Sequence, residues 1–122
     1  MLADAVAFVL FATLGQLSHD GGLSLAGYAR DALPLMACWF AAALALRTYA
    51  RPSRRLFLET WAIGVTAGVL LRAAVLGRHL GGDQLAFLVT SLVFTLALLV
   101  ACRAVAARQT RRTGSAQYAP RR

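Results

Sequence analysis

The sequence contains no lysine, only two cysteines and few charged residues, and these shortages exclude several classes of protein. Charged side chains make up 15% of the 122 residues, against about 25% in ordinary soluble domains, whereas 59% of the residues are hydrophobic. A chain this hydrophobic is not disordered. Two cysteines cannot hold together a loop-rich disulfide scaffold. The length allows a single domain.

Motifs for catalysis and metal binding are also absent from the sequence. We find no pair of carboxylates on one helix face, no glycine-rich phosphate loop, and no serine or cysteine beside a base. His19 and His79, each near an aspartate in the sequence, do not have the spacing of a metal site. We therefore expect a protein with no enzymatic activity, no cofactor and no bound metal.

The hydrophobic residues are concentrated in four segments. The fourth segment contains no charge over the nineteen positions from Gln84 to Cys102, which as a helix is about 28 Å long, close to the thickness of a bilayer core. A soluble four-helix bundle requires a charged face on each helix, and segments one, two and four have none. The first segment lacks the basic start of a cleaved signal peptide. Four membrane spans are predicted at about residues 2–17, 28–46, 57–76 and 85–102.

The predicted fold is therefore all-α: an integral membrane four-helix bundle built from two helical hairpins. The transmembrane domain covers residues 1–105, and residues 106–122 are predicted to be a disordered basic tail. Asp4 and Glu59, and again Arg47 and Arg103, recur at offsets of 55 and 56 residues. These offsets suggest that the two hairpins are a parallel repeat.

The arginines are distributed unevenly across the predicted spans. The side with both termini and the 47–56 connection holds ten arginines against Asp4 and Glu59, whereas the other side has three arginines and three aspartates. The positive-inside rule then predicts an inner-membrane protein with both termini in the cytoplasm. A nucleic-acid-binding tail is the alternative, which the lack of interleaved aromatic residues disfavours. The expected partners are anionic lipid head groups at Arg47, Arg51, Arg54, Arg55 and the C-terminal arginines.

One face of the third segment combines small and charged residues. Thr60, Gly64, Gly68 and Arg72 follow one another at i+4 spacing and share this face. The Gly64–Gly68 pair allows another helix to approach closely. Arg72 is predicted to point into the bundle, where Asp31 on the second segment is its expected counter-charge.

Further polar residues are expected to gather beside this charge pair. Gln16, Ser18 and His19 end the first segment at the same depth, and Thr90 and Ser91 on the fourth are possible contributors. Gln16, Ser18, His19, Asp31 and Arg72 therefore form a candidate outer polar pocket. The alternatives are a purely structural ion pair and an arginine that extends to the membrane interface.

Several segments resemble one uncharacterised membrane family, called domain of unknown function 3054. They are Phe11–His19, Pro34 with Trp39, Gly68–Arg72 and Phe87. The resemblance covers about residues 5–105 and implies a four-span bacterial membrane protein with no established activity. The chain departs from the family's pattern at Gln16, where the family often has Arg, and at Cys102, where it often has Trp.

Two functions are consistent with these features. The first is a small-solute or ion permeation unit, oligomeric, with the polar pocket at its outer mouth. The second is a non-catalytic accessory or structural membrane protein whose Gly64/Gly68 face docks a helix of a partner.

Overall fold

Four helices and their short connections make up the described part of the chain. The computed structural model describes residues 1–18, 22–77 and 81–117, and these contain no β-strand. Each predicted segment begins within three residues of the start of its helix, and the all-α four-helix prediction is confirmed. The helices are α1 (Leu2–Leu17), α2 (Leu25–Ala45), α3 (Arg54–Val75) and α4 (Gly82–Gln117).

The four helices form a ring in sequence order. Each helix packs against the next, α4 closes the ring on α1, and the backbones of the diagonal pairs do not approach each other closely within the described ranges. Short connections make sequential helices antiparallel, so the bundle has two distinct ends. We call them the Asp4 end, where α1 begins and α2 meets α3, and the Gln16 end, where α1 leads into α2 and α4 begins.

The middle of the ring is filled by large apolar side chains. Phe8, Leu35, Trp39, Val65 and Leu99 are completely or almost completely buried there. The rings of Phe8 and Trp39 lie 5.7 Å apart between their centroids, at a tilt that favours contact of an edge with a face. This core separates the polar residues of the two ends.

Helices α2 and α3 approach each other closely through the two predicted glycines. A Cβ at Gly68 would lie 2.7 Å from the Cα of Leu35, and a Cβ at Gly64 would lie 3.0 Å from the Cα of Trp39. The predicted close approach of another helix to this face is confirmed, and that helix is α2 of the same chain. The Gly64/Gly68 face is therefore covered, and it offers no free surface to a partner helix.

The duplicated hairpin stays a prediction, although the paired residues have different environments. Asp4 is fully buried, whereas Glu59 is half-buried and accepts a hydrogen bond from the exposed Arg55. Arg47 is exposed with a φ of 53°, and Arg103 lies partly within the bundle.

Helix α4 is longer than the predicted span. It continues to Gln117, fifteen residues beyond the predicted end at Cys102. The prediction that residues 106–122 are disordered is therefore wrong over residues 106–117, and residues 118–122 lie outside the described ranges. The physical reason is that residues 106–117 are rich in alanine, arginine and glutamine, which are strong helix formers. The helix therefore continues beyond its apolar segment.

The outer surfaces of all four helices are apolar. Helix α3 and residues Gly82–Arg111 of α4 are long and apolar enough to cross a membrane, and α1 is a shorter apolar helix. Only 33% of the apolar window of α3 and 17% of that of α4 are buried inside the bundle. Exposed hydrophobic residues include Val9, Leu10, Leu33, Leu44, Ile63, Leu70, Val89 and Val93.

Candidate functional site

An ion pair between α2 and α3 lies at the centre of the Gln16 end. The Nε and Nη2 atoms of Arg72 both lie 2.8 Å from Oδ1 of Asp31, so the predicted contact is confirmed. The guanidinium also lies 4.4 Å from the ring centroid of Phe87 on α4. Arg72 is only 12% exposed, so it does not extend outward to an interface. Arg30, which is more exposed, approaches the same carboxylate oxygen at 3.8 Å.

The side chain of Gln16 connects α1 to the start of α2. Its Oε1 atom accepts a hydrogen bond of 2.8 Å from the backbone N–H of Ser24, and the hydroxyl of Ser24 caps α2 at the N–H of Gly27. A Cβ at Gly27 would lie 2.7 Å from Oε1 of Gln16, so glycine leaves the space that this amide occupies. The Nε2 atom of Gln16 is buried and has no hydrogen-bond partner.

A cavity of about 500 Å³ opens beside these groups, and all four helices contribute to its wall. This volume lies within the range of about 300–1,000 Å³ that is typical of small-molecule sites. Phe11 and Phe87 form apolar parts of the wall, and Gly15 leaves open space. The polar side chains of the wall are Gln16, Ser24, Arg30, Asp31, Arg72, Asp83 and Gln84.

Three of the five predicted pocket residues meet at this cavity: Gln16, Asp31 and Arg72. Ser18 does not contribute to the wall, because it follows the last residue of α1 and its hydroxyl donates back to the carbonyl of Leu14 at 2.8 Å. His19 lies outside the described residues.

The two possible contributors on α4 also lie elsewhere. Thr90 is exposed, and Ser91 is buried within the bundle and does not line the cavity. Gln84, in the first turn of α4, lines the wall instead. Its Oε1 atom is buried without a hydrogen-bond partner, like the Nε2 atom of Gln16.

No group of three or more His, Cys, Asp or Glu side chains comes together within residues 1–18, 22–77 and 81–117. His19 and His79, whose spacing in the sequence does not predict a metal site, lie outside those ranges. The cavity wall therefore offers guanidinium, carboxylate and amide groups.

The Asp4 end contains a second polar cluster, which sequence reasoning missed. The carboxylate of Asp4 is fully buried and accepts hydrogen bonds from Nε and Nη2 of Arg103, at 2.6 and 2.7 Å. The hydroxyl of Tyr49 donates to the same carboxylate at 2.6 Å and accepts from the indole N–H of Trp39. The guanidinium of Arg103 also lies 4.6 Å from the ring centroid of Phe57. The cluster thus ties α1, α2, α3 and α4 together.

Tyr49 belongs to the connection between α2 and α3. Its burial, together with its hydrogen bond to the carboxylate of Asp4, raises the pKa of Tyr49 to about 12. Like an ordinary tyrosine, the phenol is protonated at neutral pH, and it acts as the donor to Asp4.

Comparison with known proteins identifies the family of the chain. The family described as "Protein of unknown function (DUF3054)" matches residues 1–106. The chain belongs to the DUF3054 family. No curated protein and no solved structure matches it.

The matched region of this DUF3054 protein contains both polar clusters. Arg103 is one of the C-terminal arginines that are predicted to contact lipid head groups, and the structure instead places it against Asp4, inside the matched region. The signal that pointed to this pair was Asp4, an acidic residue in the first turn of an otherwise apolar helix. A charge in that position requires a partner, and the sequence alone did not indicate which arginine supplies it.

Proposed function

We propose that this DUF3054 protein is a multi-pass integral membrane protein without enzymatic activity, whose four helices cross the inner membrane. The proposal is supported by the apolar outer surfaces of the helices and by the lengths of α3 and α4. A protein of 122 residues with so many exposed large hydrophobic side chains requires lipid or partner helices to cover them.

The distribution of arginines supports an orientation with the Asp4 end in the cytoplasm. Arg47, Arg51 and Arg54 are exposed at this end, where they can contact anionic head groups. Arg55 is also exposed, although it forms an ion pair with Glu59, to which its Nε atom donates a hydrogen bond of 2.8 Å. In this orientation the cavity at the Gln16 end faces the opposite side of the membrane.

We further propose that the protein is a permeation unit for a small solute, which it takes up through the cavity at the Gln16 end. The observation that carries this proposal is the 500 Å³ cavity, whose wall combines buried amides with a charge pair. Structural ion pairs alone do not require an open space of this size beside them.

Passage across the membrane requires a change in the core. Leu35 lies one turn deeper than Asp31, and Phe8 and Trp39 lie deeper still, all almost completely buried. These side chains close the route between the cavity and the Asp4 end. The conformation is therefore open on one side, as expected for an alternating-access mechanism. The partner-docking alternative lacks a free Gly64/Gly68 face, and no other observation favours it.

Solute flux into proteoliposomes tests the proposal, with Gly15→Leu as the decisive variant. Gly15 lines the cavity, and an added Cβ would contact nothing within 4 Å, so a side chain that begins there has room to extend into the cavity. We expect Gly15→Leu to remove most of the flux. Gly81→Leu is the matched control, because a Cβ there also contacts nothing and Gly81 does not line the cavity. Equal flux in both variants, or none in the wild type, would contradict the proposal.

A further inference from the structure

Two amide groups in the wall of the cavity lack hydrogen-bond partners. The Nε2 atom of Gln16 and the Oε1 atom of Gln84 are both buried, and the two residues are only 7% and 8% exposed. A buried polar group without a partner is costly, so each such group in a folded protein calls for an explanation. Here one group is a donor, the other is an acceptor, and both residues line the same open space.

The orientation of the Gln16 amide is fixed by its neighbours. The backbone N–H of Ser24 is a donor, so only the oxygen of the amide can face it, at 2.8 Å. The absence of a Cβ at Gly27 leaves the room that this arrangement needs. The Nε2 atom is therefore committed as a donor, and an occupant that bonds to it has to supply an acceptor.

The charged groups of the cavity favour an uncharged occupant. Arg30 and Arg72 balance Asp31 and Asp83, so the wall carries no net formal charge. Arg72 already binds Asp31 through two nitrogens and stacks on Phe87. An ion entering this cavity would lose its hydration without finding an uncompensated opposite charge.

We propose that the cavity binds a small uncharged solute that accepts a hydrogen bond from Nε2 of Gln16 and donates one to Oε1 of Gln84. Primary carboxamides and polyols share this chemistry, because each presents an acceptor and a donor close together. The inference deepens the proposed permeation function by naming the class of solute. It rests on that function only for the step from binding to transport.

Binding is tested on the full-length protein in lipid nanodiscs by saturation-transfer NMR, which detects weakly bound small molecules directly. The probes are acetamide and glycerol, together with acetate as the charged analogue of acetamide. We expect transfer to acetamide or glycerol and none to acetate. The acetamide and glycerol arms also distinguish a carboxamide from a polyol. Stronger transfer to acetate, or transfer to none of the probes because only water fills the cavity, would overturn the inference.

Variants locate the bound probe. Gln84→Met keeps the length of the side chain and removes the acceptor, and we expect it to weaken binding of the preferred probe by about tenfold, as for one lost hydrogen bond. Gly27→Ala, which displaces the Gln16 amide, should weaken it similarly. Thr90→Val on the exposed side of α4 is the control and should leave binding unchanged.

Unchanged binding in both cavity variants would overturn the assignment to the two amides. If either variant fails to fold, the comparison of acetamide with acetate on the wild type still decides the inference. Binding of acetamide without any flux would contradict permeation and leave the inference intact. Flux of ions without binding of an uncharged probe would contradict the inference and leave permeation intact.

Discussion

At the scale of single residues, the two ion pairs of the bundle differ in how completely they are enclosed. Asp4 is fully buried with Arg103 and Tyr49 as partners, whereas Asp31 is partly exposed and contacts two arginines. A buried carboxylate that loses its partner is strongly destabilising. Asp4 and its partner therefore matter more for stability, and the pair at the cavity can tolerate rearrangement.

Removing the partner of Asp4 tests this difference. We expect Arg103→Met to lower the free energy of unfolding by about 3 kcal/mol, because it leaves the buried carboxylate with only the Tyr49 hydroxyl and the more distant N-terminal ammonium at 3.9 Å. Adding Asp4→Asn should recover part of the loss, measured by a double-mutant cycle in detergent. The exposed pair Arg55 and Glu59 is the control, and its expected coupling is much weaker because solvent screens both charges. Additive losses at Asp4 and Arg103 would contradict the contact.

The pKa of Tyr49 gives a second prediction at this scale. The folded protein holds the phenol proton to a pH of about 12, above the ordinary value of 10.0, so this stabilisation is present below pH 10 and is lost as the pH rises toward 12. Absorbance of tyrosinate, recorded with Tyr28→Phe and Tyr118→Phe in place, follows the titration. Asp4→Asn should lower the pKa of Tyr49, although burial keeps it above 10. An unchanged titration would exclude Asp4 as the acceptor.

Sequence reasoning found one of these ion pairs and missed the other for a physical reason. Arg72 lies inside an apolar segment and shares a face with two glycines, so helical periodicity predicted its inward direction, and Asp31 at the same depth was its expected partner. Arg103 stands near the end of its apolar segment, where an arginine is equally consistent with contact with lipid head groups. Ninety-nine residues separate it from Asp4, and only the closure of α4 onto α1 joins them.

At the scale of helices, close packing of α2 and α3 depends on the absence of side chains at two positions. We expect Gly68→Ala to destabilise the protein by about 1–3 kcal/mol, because its Cβ would lie 2.7 Å from the backbone of Leu35 and force the helices apart. Gly64→Ala, at 3.0 Å from Trp39, should cost less. Gly15→Ala meets no neighbour and should instead stabilise the helix by about 1 kcal/mol. Thermal unfolding measures the relative stabilities of the three variants. Stabilisation by Gly68→Ala would contradict the close packing of α2 and α3.

The helices themselves were largely predictable because long apolar runs with no charged face have few alternatives to a helix. The starts of α2, α3 and α4 differ from the predicted spans by three residues, since helical structure extends past the apolar boundary into polar caps such as Ser24. The end of α4 was not predictable from hydropathy, because helix formation there depends on backbone propensity rather than on burial. The cavity was only partly predictable, since the positions of Gln84 and Gly27 depend on how four helices meet.

At the scale of the whole molecule, the two ends of the bundle have different chemistry. The Asp4 end combines a closed, fully bonded cluster with exposed arginines, and α4 extends from it for about 21 Å beyond Arg103. The Gln16 end has balanced charges and an open cavity. This asymmetry fits the proposed function. The positively charged Asp4 end would hold the protein at the cytoplasmic face of the membrane, and the open Gln16 end would bind solute from the other side.

Fusions to a reporter enzyme that is active only in the periplasm test this orientation. We expect activity after Leu23, in the connection at the Gln16 end, and none after Ala50 or Arg122, because the arginines of the Asp4 end resist translocation. Replacing Arg47, Arg51, Arg54 and Arg55 by Gln should produce a mixed orientation, with partial activity after Ala50. The wild-type fusions at the same positions are the control. Activity after Arg122 in the wild-type chain would contradict the orientation and place the cavity in the cytoplasm.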